Sequence, residues 1–172
     1  MASYETAATL AGYTRYMVAS EEMEPGNGWN YDAWVQALAD NPAMGGARLG
    51  EVICDSYLAG CREEDTEEEA TLSVIDLARL PALTSAYETY SRDVLARASH
   101  LSPAFFAALD RAAQRAENYG GNTREMGYAN MVDLAGLAQE TAREFPSAAA
   151  LVRAVEDACI YKVHGDYRRR GG

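Results

Sequence analysis

Residues 16–31 read YMVASEEMEPGNGWNY, and the switch of character inside this stretch decides the fold class. Tyr16, Met17, Val18 and Ala19 form a short apolar run that predicts a buried strand. Ser20 and Glu21 then turn polar, and Pro25, Gly26 and Gly28 punctuate a loop. A strand that ends in such a loop is how an α/β sheet presents a site. In open sheets of this kind ligands bind outside the carboxyl ends of the strands, so Ser20, Glu21 and Trp29 are the candidate ligand-contacting residues.

Working outward, helical spacing dominates. Before the strand, Ser3 can cap a helix running from about Ala2 to Tyr13, whose Tyr4, Ala7, Ala8 and Ala11 make a small-residue stripe able to lie close on a sheet. After the loop, Asn30 can cap a helix carrying Tyr31, Trp34, Val35 and Leu38. Gly45-Gly46 separates it from a third helix with Leu49, Val52, Ile53 and Tyr57 on one face and Cys54 and Cys61 near its edge. Thr71 to Leu77, TLSVIDL, predicts a second strand, followed from about Ala78 by a helix with Leu83, Ala86, Tyr87, Tyr90 and Val94. Ser102-Pro103 opens another helix, with Phe105, Phe106 and Leu109 facing inward and a stop at Gly120-Gly121. A loop is expected over 122–130, a helix marked by Met131, Leu134, Ala135 and Ala138, a last helix capped by Ser147, and strand character from Ala158 to His164. No internal repeat, low-complexity tract or linker divides the chain, so one domain is expected over 1–172.

The 172 residues are 48% hydrophobic, enough for one core. A net charge of -11 argues against a nucleic-acid partner and suits cationic ligands such as Lys- or Arg-bearing peptides. No run approaches the ~18 apolar residues of a membrane helix, so no membrane span is expected. Cys54, Cys61 and Cys159 lack paired CxxC spacing, which predicts buried thiols instead of a zinc site or disulfides. Residues 63–69 hold six carboxylates in seven positions, and this density predicts a solvated connector. The run has no Gly-punctuated alternation of oxygen ligands that would mark a calcium loop.

Residues 1–34, MASYETAATLAGYTRYMVASEEMEPGNGWNYDAW, resemble the clostripain-like cysteine peptidases, whose fold is related to caspases and gingipains. TLSVIDL is similar to the family's second strand after the nucleophile, and MVDLAGLA to a family segment built around Asp133. The resemblance implies the carboxyl-side part of a caspase-like α/β/α sandwich, helix-rich, with the chain a single partial domain truncated at both ends. In the family the nucleophile sits in an Asp-Ala-Cys-Leu-Met sequence, and Met1 would be its Met. That places the nucleophile two residues upstream of Met1 and the catalytic histidine earlier still, so the implied partner is a missing amino-terminal half. Also implied are cleavage after Arg or Lys in peptide or protein substrates, a bacterial secreted or cell-envelope location, and no cofactor beyond the calcium some members use.

No self-contained catalytic set is expected within the chain. Thiol catalysis requires a thiolate, a histidine within hydrogen-bond reach and donors for the oxyanion. Cys54 and Cys61 lie mid-helix beside an apolar face, and Cys159 and His164, five residues apart on a strand, would point to opposite faces. His100, between helices, reads as a surface or capping residue. The loop from Ser20 to Trp29 is therefore read as a recognition element. Backbone groups near Ala19 to Glu21 could pair with a substrate by strand addition, Glu21 or Glu22 could add negative charge to a basic-residue pocket, and Glu24 reads as solvated. Trp29 reads equally well as a contact residue or a core anchor. The rival expectation is a non-catalytic, helix-rich interaction module that binds a partner through the Trp29 loop.

Overall fold

The computed structural model describes residues 2–120 and 131–165. Met1, the loop expected over 122–130 and the RRRGG tail lie outside the described residues. In chain order the elements are α1 (Tyr4–Leu10), β1 (Tyr16–Ala19), α2 (Tyr31–Asp40), α3 (Gly46–Glu63), β2 (Thr71–Asp76) and α4 (Leu80–Ala98). They continue with α5 (Pro103–Arg115), β3 (Asn118–Tyr119), β4 (Met131–Val132), α6 (Leu134–Thr141), α7 (Ala148–Ala158) and β5 (Cys159–His164). The result is a helix-rich α/β fold in two compact units, residues 1–78 with 159–172, and residues 79–158.

The first unit is built on a three-stranded sheet in the order β1-β2-β5. β2 is central and antiparallel to both neighbours, with Val18 opposite Val74, Ala19 opposite Ser73 and Thr71 opposite His164. Ligand binding outside the carboxyl ends of neighbouring strands is a property of parallel sheets. Here the antiparallel pairing instead gathers the carboxyl ends of β1 and β5 beside the amino end of β2. Leu72 and Val74 are fully buried and cluster with Ile53, Cys54, Tyr57, Leu58 and Cys61 of α3. This contact is close because Gly50 has no side chain: a Cβ there would fall 2.8 Å and 2.9 Å from the two methyl carbons of Val74. At the opposite end of β1, Arg15 donates two hydrogen bonds to the buried Asp76 carboxylate, at 2.6 and 3.0 Å, and Asp76 also accepts from the Ala78 N–H. Ser3 and Asn30 cap α1 and α2 through their side chains, as expected. The first helix is shorter than its apolar spacing suggests. It ends at Leu10, and of its stripe only Ala7 is buried while Ala8 and Ala11 are exposed.

The second unit is helical. Leu83 and Tyr90 of α4, Phe105 and Ala112 of α5, Ala138 of α6 and Leu151 of α7 are buried. Tyr90 and Phe105 each meet the ring of Phe145 edge to face. The Tyr90 and Thr141 hydroxyls share a buried 2.8 Å hydrogen bond. Ser102 caps α5 with Pro103 in its first turn, but Phe106 does not face inward: it is 44% exposed and stacks edge-on against Phe105. Adjacent helical residues diverge by about 100°, so two successive rings do not share one face. The helix stops at Arg115, before the glycines, because Asn118 donates its side-chain amide to the carbonyls of Ala113 and Ala116 and releases the chain into β3. Met131 and Val132 pair with β3 instead of joining a helix. Asp133 is the N-cap of α6, its carboxylate accepting from the Gly136 N–H. Ser147 directs its hydroxyl to Asp93.

Candidate functional site

The loop that follows β1 is fastened at several points. Ser20 is 2% exposed: its hydroxyl shares a 2.8 Å hydrogen bond with that of Thr71 and accepts from the Glu22 N–H at 3.1 Å. Its carbonyl accepts from the Ala2 N–H at 2.7 Å, which ties the amino end of the chain's first helix to the strand end. A turn closes between Pro25 and Gly28, whose φ of 67° lies in the left-handed region that glycine adopts without a Cβ clash. Trp29 then donates its indole N–H to the Glu24 carboxylate at 2.7 Å while its ring packs against the core cluster under α3. Asn27 reaches the end of α3, donating to the Cys61 sulfur at 3.6 Å and accepting from the Thr66 hydroxyl at 3.4 Å.

These contacts sort the sequence candidates by role. The Ser20 side chain is committed to Thr71 and Glu22, leaving its backbone as what it presents at the strand end. Trp29 is a core anchor as well as a loop residue. Glu24, read as solvated, is exposed and also accepts from that indole. Glu21 and Glu22 are half-buried beside the strand end. The negative charge of Glu21 is among the influences that hold the Cys159 thiol above its ordinary pKa, after the larger effect of burial. β1 is an edge strand among the described residues, so its outer side offers backbone groups for strand addition.

The visible thiols are all free and none is poised as a nucleophile. Cys54 and Cys61 are fully buried, and desolvation, reinforced by Asp55, pushes Cys54 up to about 12. Cys159 directs its S–H to the Tyr161 carbonyl at 3.6 Å. It sits on the half-buried side of β5, whereas His164 is on the exposed side with Nδ1 2.8 Å from the Gly165 carbonyl oxygen. His100 places Nδ1 3.1 Å from the Ala96 carbonyl oxygen at the end of α4. Among the described residues, no group of three or more His, Cys, Asp or Glu side chains is placed to hold a metal ion, and no helix is long and apolar enough to cross a membrane.

Asn27, Thr66 and Thr71, which fasten the loop, escaped the sequence reading. Asn27 carries the one local signal, an Asn between two glycines. Thr66 lies inside the acidic run, and its link to Asn27 spans 39 positions that no spacing rule connects.

The family model described as the clostripain family matches residues 1–171. A solved B. fragilis cysteine protease shares the fold at 17% identity with a TM-score of 0.62, over 99% of this chain and 67% of that one. No curated protein matches. The match along nearly the whole sequence, with the likeness of fold, establishes that this chain belongs to the clostripain family of cysteine proteases.

Proposed function

We propose that the chain supplies the substrate-binding side of an endopeptidase that cleaves after Arg or Lys, with the nucleophilic cysteine lying upstream of Met1. The observation that carries this reading is the hydrogen bond from Ala2 N–H to Ser20 C=O. In the family's Asp-Ala-Cys-Leu-Met segment the cysteine stands three residues before the position of Ala2. Three residues span at most about 11 Å, so a nucleophile there lies within about three peptide units of the point where Ala2 meets Ser20. The outer side of β1, an edge strand among the described residues, can take the substrate backbone by strand addition, and the half-buried Glu21 and Glu22 after the strand can offer negative charge to a basic side chain. The thiols within the described residues support the same division of labour, since they are buried or turned onto backbone carbonyls. A secreted or envelope location accompanies this reading by way of the family.

Glu21→Gln tests it, in protein extended upstream through the Asp-Ala-Cys segment. Loss of one charge-assisted contact to a partly desolvated cation should cost about 1–2 kcal/mol, a fall of roughly 5- to 30-fold in kcat/KM for Arg and Lys substrates. Alkylation of the active cysteine by a small neutral reagent should proceed at the parental rate. Equal loss in both assays assigns Glu21 a structural role, and loss in neither removes it from the pocket.

A further inference from the structure

The second unit holds a shallow cleft of its own, and its chemistry is unlike that of the acidic chain around it. α5 forms one wall with Ala108, Leu109, Arg111 and Arg115; the end of α6 and the following turn form the other with Glu140, Arg143 and Glu144. Phe105, Ala112, Thr141 and Phe145 make the floor, and all four are buried. Both carboxylates facing the cleft are already occupied: Glu140 accepts from Arg115 at 2.6 Å and Glu144 from Arg97 at 3.2 Å. Arg111 and Arg143 are exposed and make no ion pair among the described residues. The cleft thus carries two uncompensated guanidinium groups above an apolar, aromatic floor, in a chain whose net charge is -11.

From this juxtaposition we propose that the α5–α6 cleft is a docking site for a peptide segment in which acidic residues alternate with large apolar ones, supplied by a partner protein. A guanidinium is always charged and presents a planar fork that fits a carboxylate through two parallel hydrogen bonds, so Arg111 and Arg143 select anionic side chains. The Phe105 and Phe145 floor adds burial for an intervening apolar side chain, which a simple anion would not use. The chain's own acidic run meets only half of this requirement, since residues 63–69 include no apolar side chain. This inference stands on the second unit alone and does not depend on the peptidase reading.

The test is fluorescence anisotropy of the 172-residue chain with a fluorescein-labelled Glu-Leu-Glu-Phe-Glu-Leu-Glu peptide and its counterpart in which every Glu is Gln. The acidic peptide should bind at least about tenfold more tightly than the neutral one, a difference of about 1.4 kcal/mol, with affinity falling as sodium chloride is raised. The double variant Arg111→Gln/Arg143→Gln should lose at least about tenfold in affinity for the acidic peptide and nothing for the neutral one. Arg48→Gln, which alters an arginine already paired with Glu51, should leave both affinities unchanged. Far-UV circular dichroism checks that the double variant is folded; the single variants, each at an exposed position, read the same loss separately. Equal affinity for the two peptides, or an acidic-peptide affinity that survives the double substitution, overturns the proposal. Arginine-dependent binding to phosphatidylserine vesicles without binding to the peptide would assign the cleft to a membrane surface, and likewise overturns it.

Discussion

Gly50→Ala puts the contact between α3 and the sheet under direct load. The new Cβ would stand 2.8 Å and 2.9 Å from the two Val74 methyl carbons and 3.4 Å from a methyl of Val18. Carbon atoms settle at about 3.5–4.0 Å, so at two points the fit is short by roughly 0.6 Å or more. Both methyl groups of Val74 crowd the same point, so rotating this stiff β-branched side chain does not clear them. Val74 is fully buried and cannot swing into solvent. Overpacking of this kind costs about 1–3 kcal/mol, against which alanine gains about 1 kcal/mol of helix propensity over glycine. The net expectation is a loss of up to about 2 kcal/mol. Val74→Ala alone should cost about 2–3 kcal/mol as a cavity, but in the Gly50→Ala background it also relieves the clash. The double variant should therefore be more stable than additivity predicts by at least about 1 kcal/mol. Both tryptophans, Trp29 and Trp34, pack against this cluster, so urea unfolding followed by their fluorescence reads the first unit specifically. Additivity within about 0.5 kcal/mol would refute the reasoning.

Two tyrosines should respond oppositely to loss of the hydroxyl. Tyr57 is 1% exposed and, among the described residues, its hydroxyl has only the Cys61 thiol one turn on, a weak partner, so Tyr57→Phe should be neutral or stabilising in a urea melt. Tyr90→Phe, which breaks the buried link to Thr141, should cost about 1 kcal/mol in the same measurement. In the loop, Trp29→Phe removes the indole hydrogen bond to Glu24 and should speed amide exchange across residues 24–29, while exchange in β2 stays at its parental rate. The thiols give a pH dependence whose sign follows from burial. Cys54 is raised in the fold to about 12 from an ordinary 9.0, so the unfolded chain releases its proton first. Stability should be level below about pH 9 and fall as pH rises towards 12, by about 2 kcal/mol near pH 10.5, and Cys54→Ala should flatten that slope.

The parts of the fold that were legible in the sequence were those written locally. Tyr16 to Ala19 became β1 and Thr71 to Asp76 became β2 because apolar and β-branched runs that short bury only as strands. Asn30 and Ser102 cap helices because their side chains reach N–H groups three residues on. What was not legible depends on pairs far apart in the chain. The antiparallel partnership of β2 with β5 joins residues nearly a hundred positions apart. The stop of α5 lies in the Asn118 side chain, and the glycines that look like a terminator come later. Ser20, Glu21 and Trp29 were chosen by a strand-end rule for parallel sheets, whereas the sheet present is antiparallel. The loop that carries them is held at Ser20 by Thr71 and at Asn27 by Cys61 and Thr66, partners far away in the chain.

The most direct test of the account is hydrolysis of an Arg-amide substrate by two forms of the protein, the 172-residue chain and the chain extended upstream through the Asp-Ala-Cys segment and its histidine. The account predicts turnover by the extended form, abolished by alkylation of the upstream cysteine and retained in Cys159→Ala, with no turnover by the 172-residue chain. Turnover by the 172-residue chain that Cys159→Ala abolishes would place the nucleophile on β5 and contradict it.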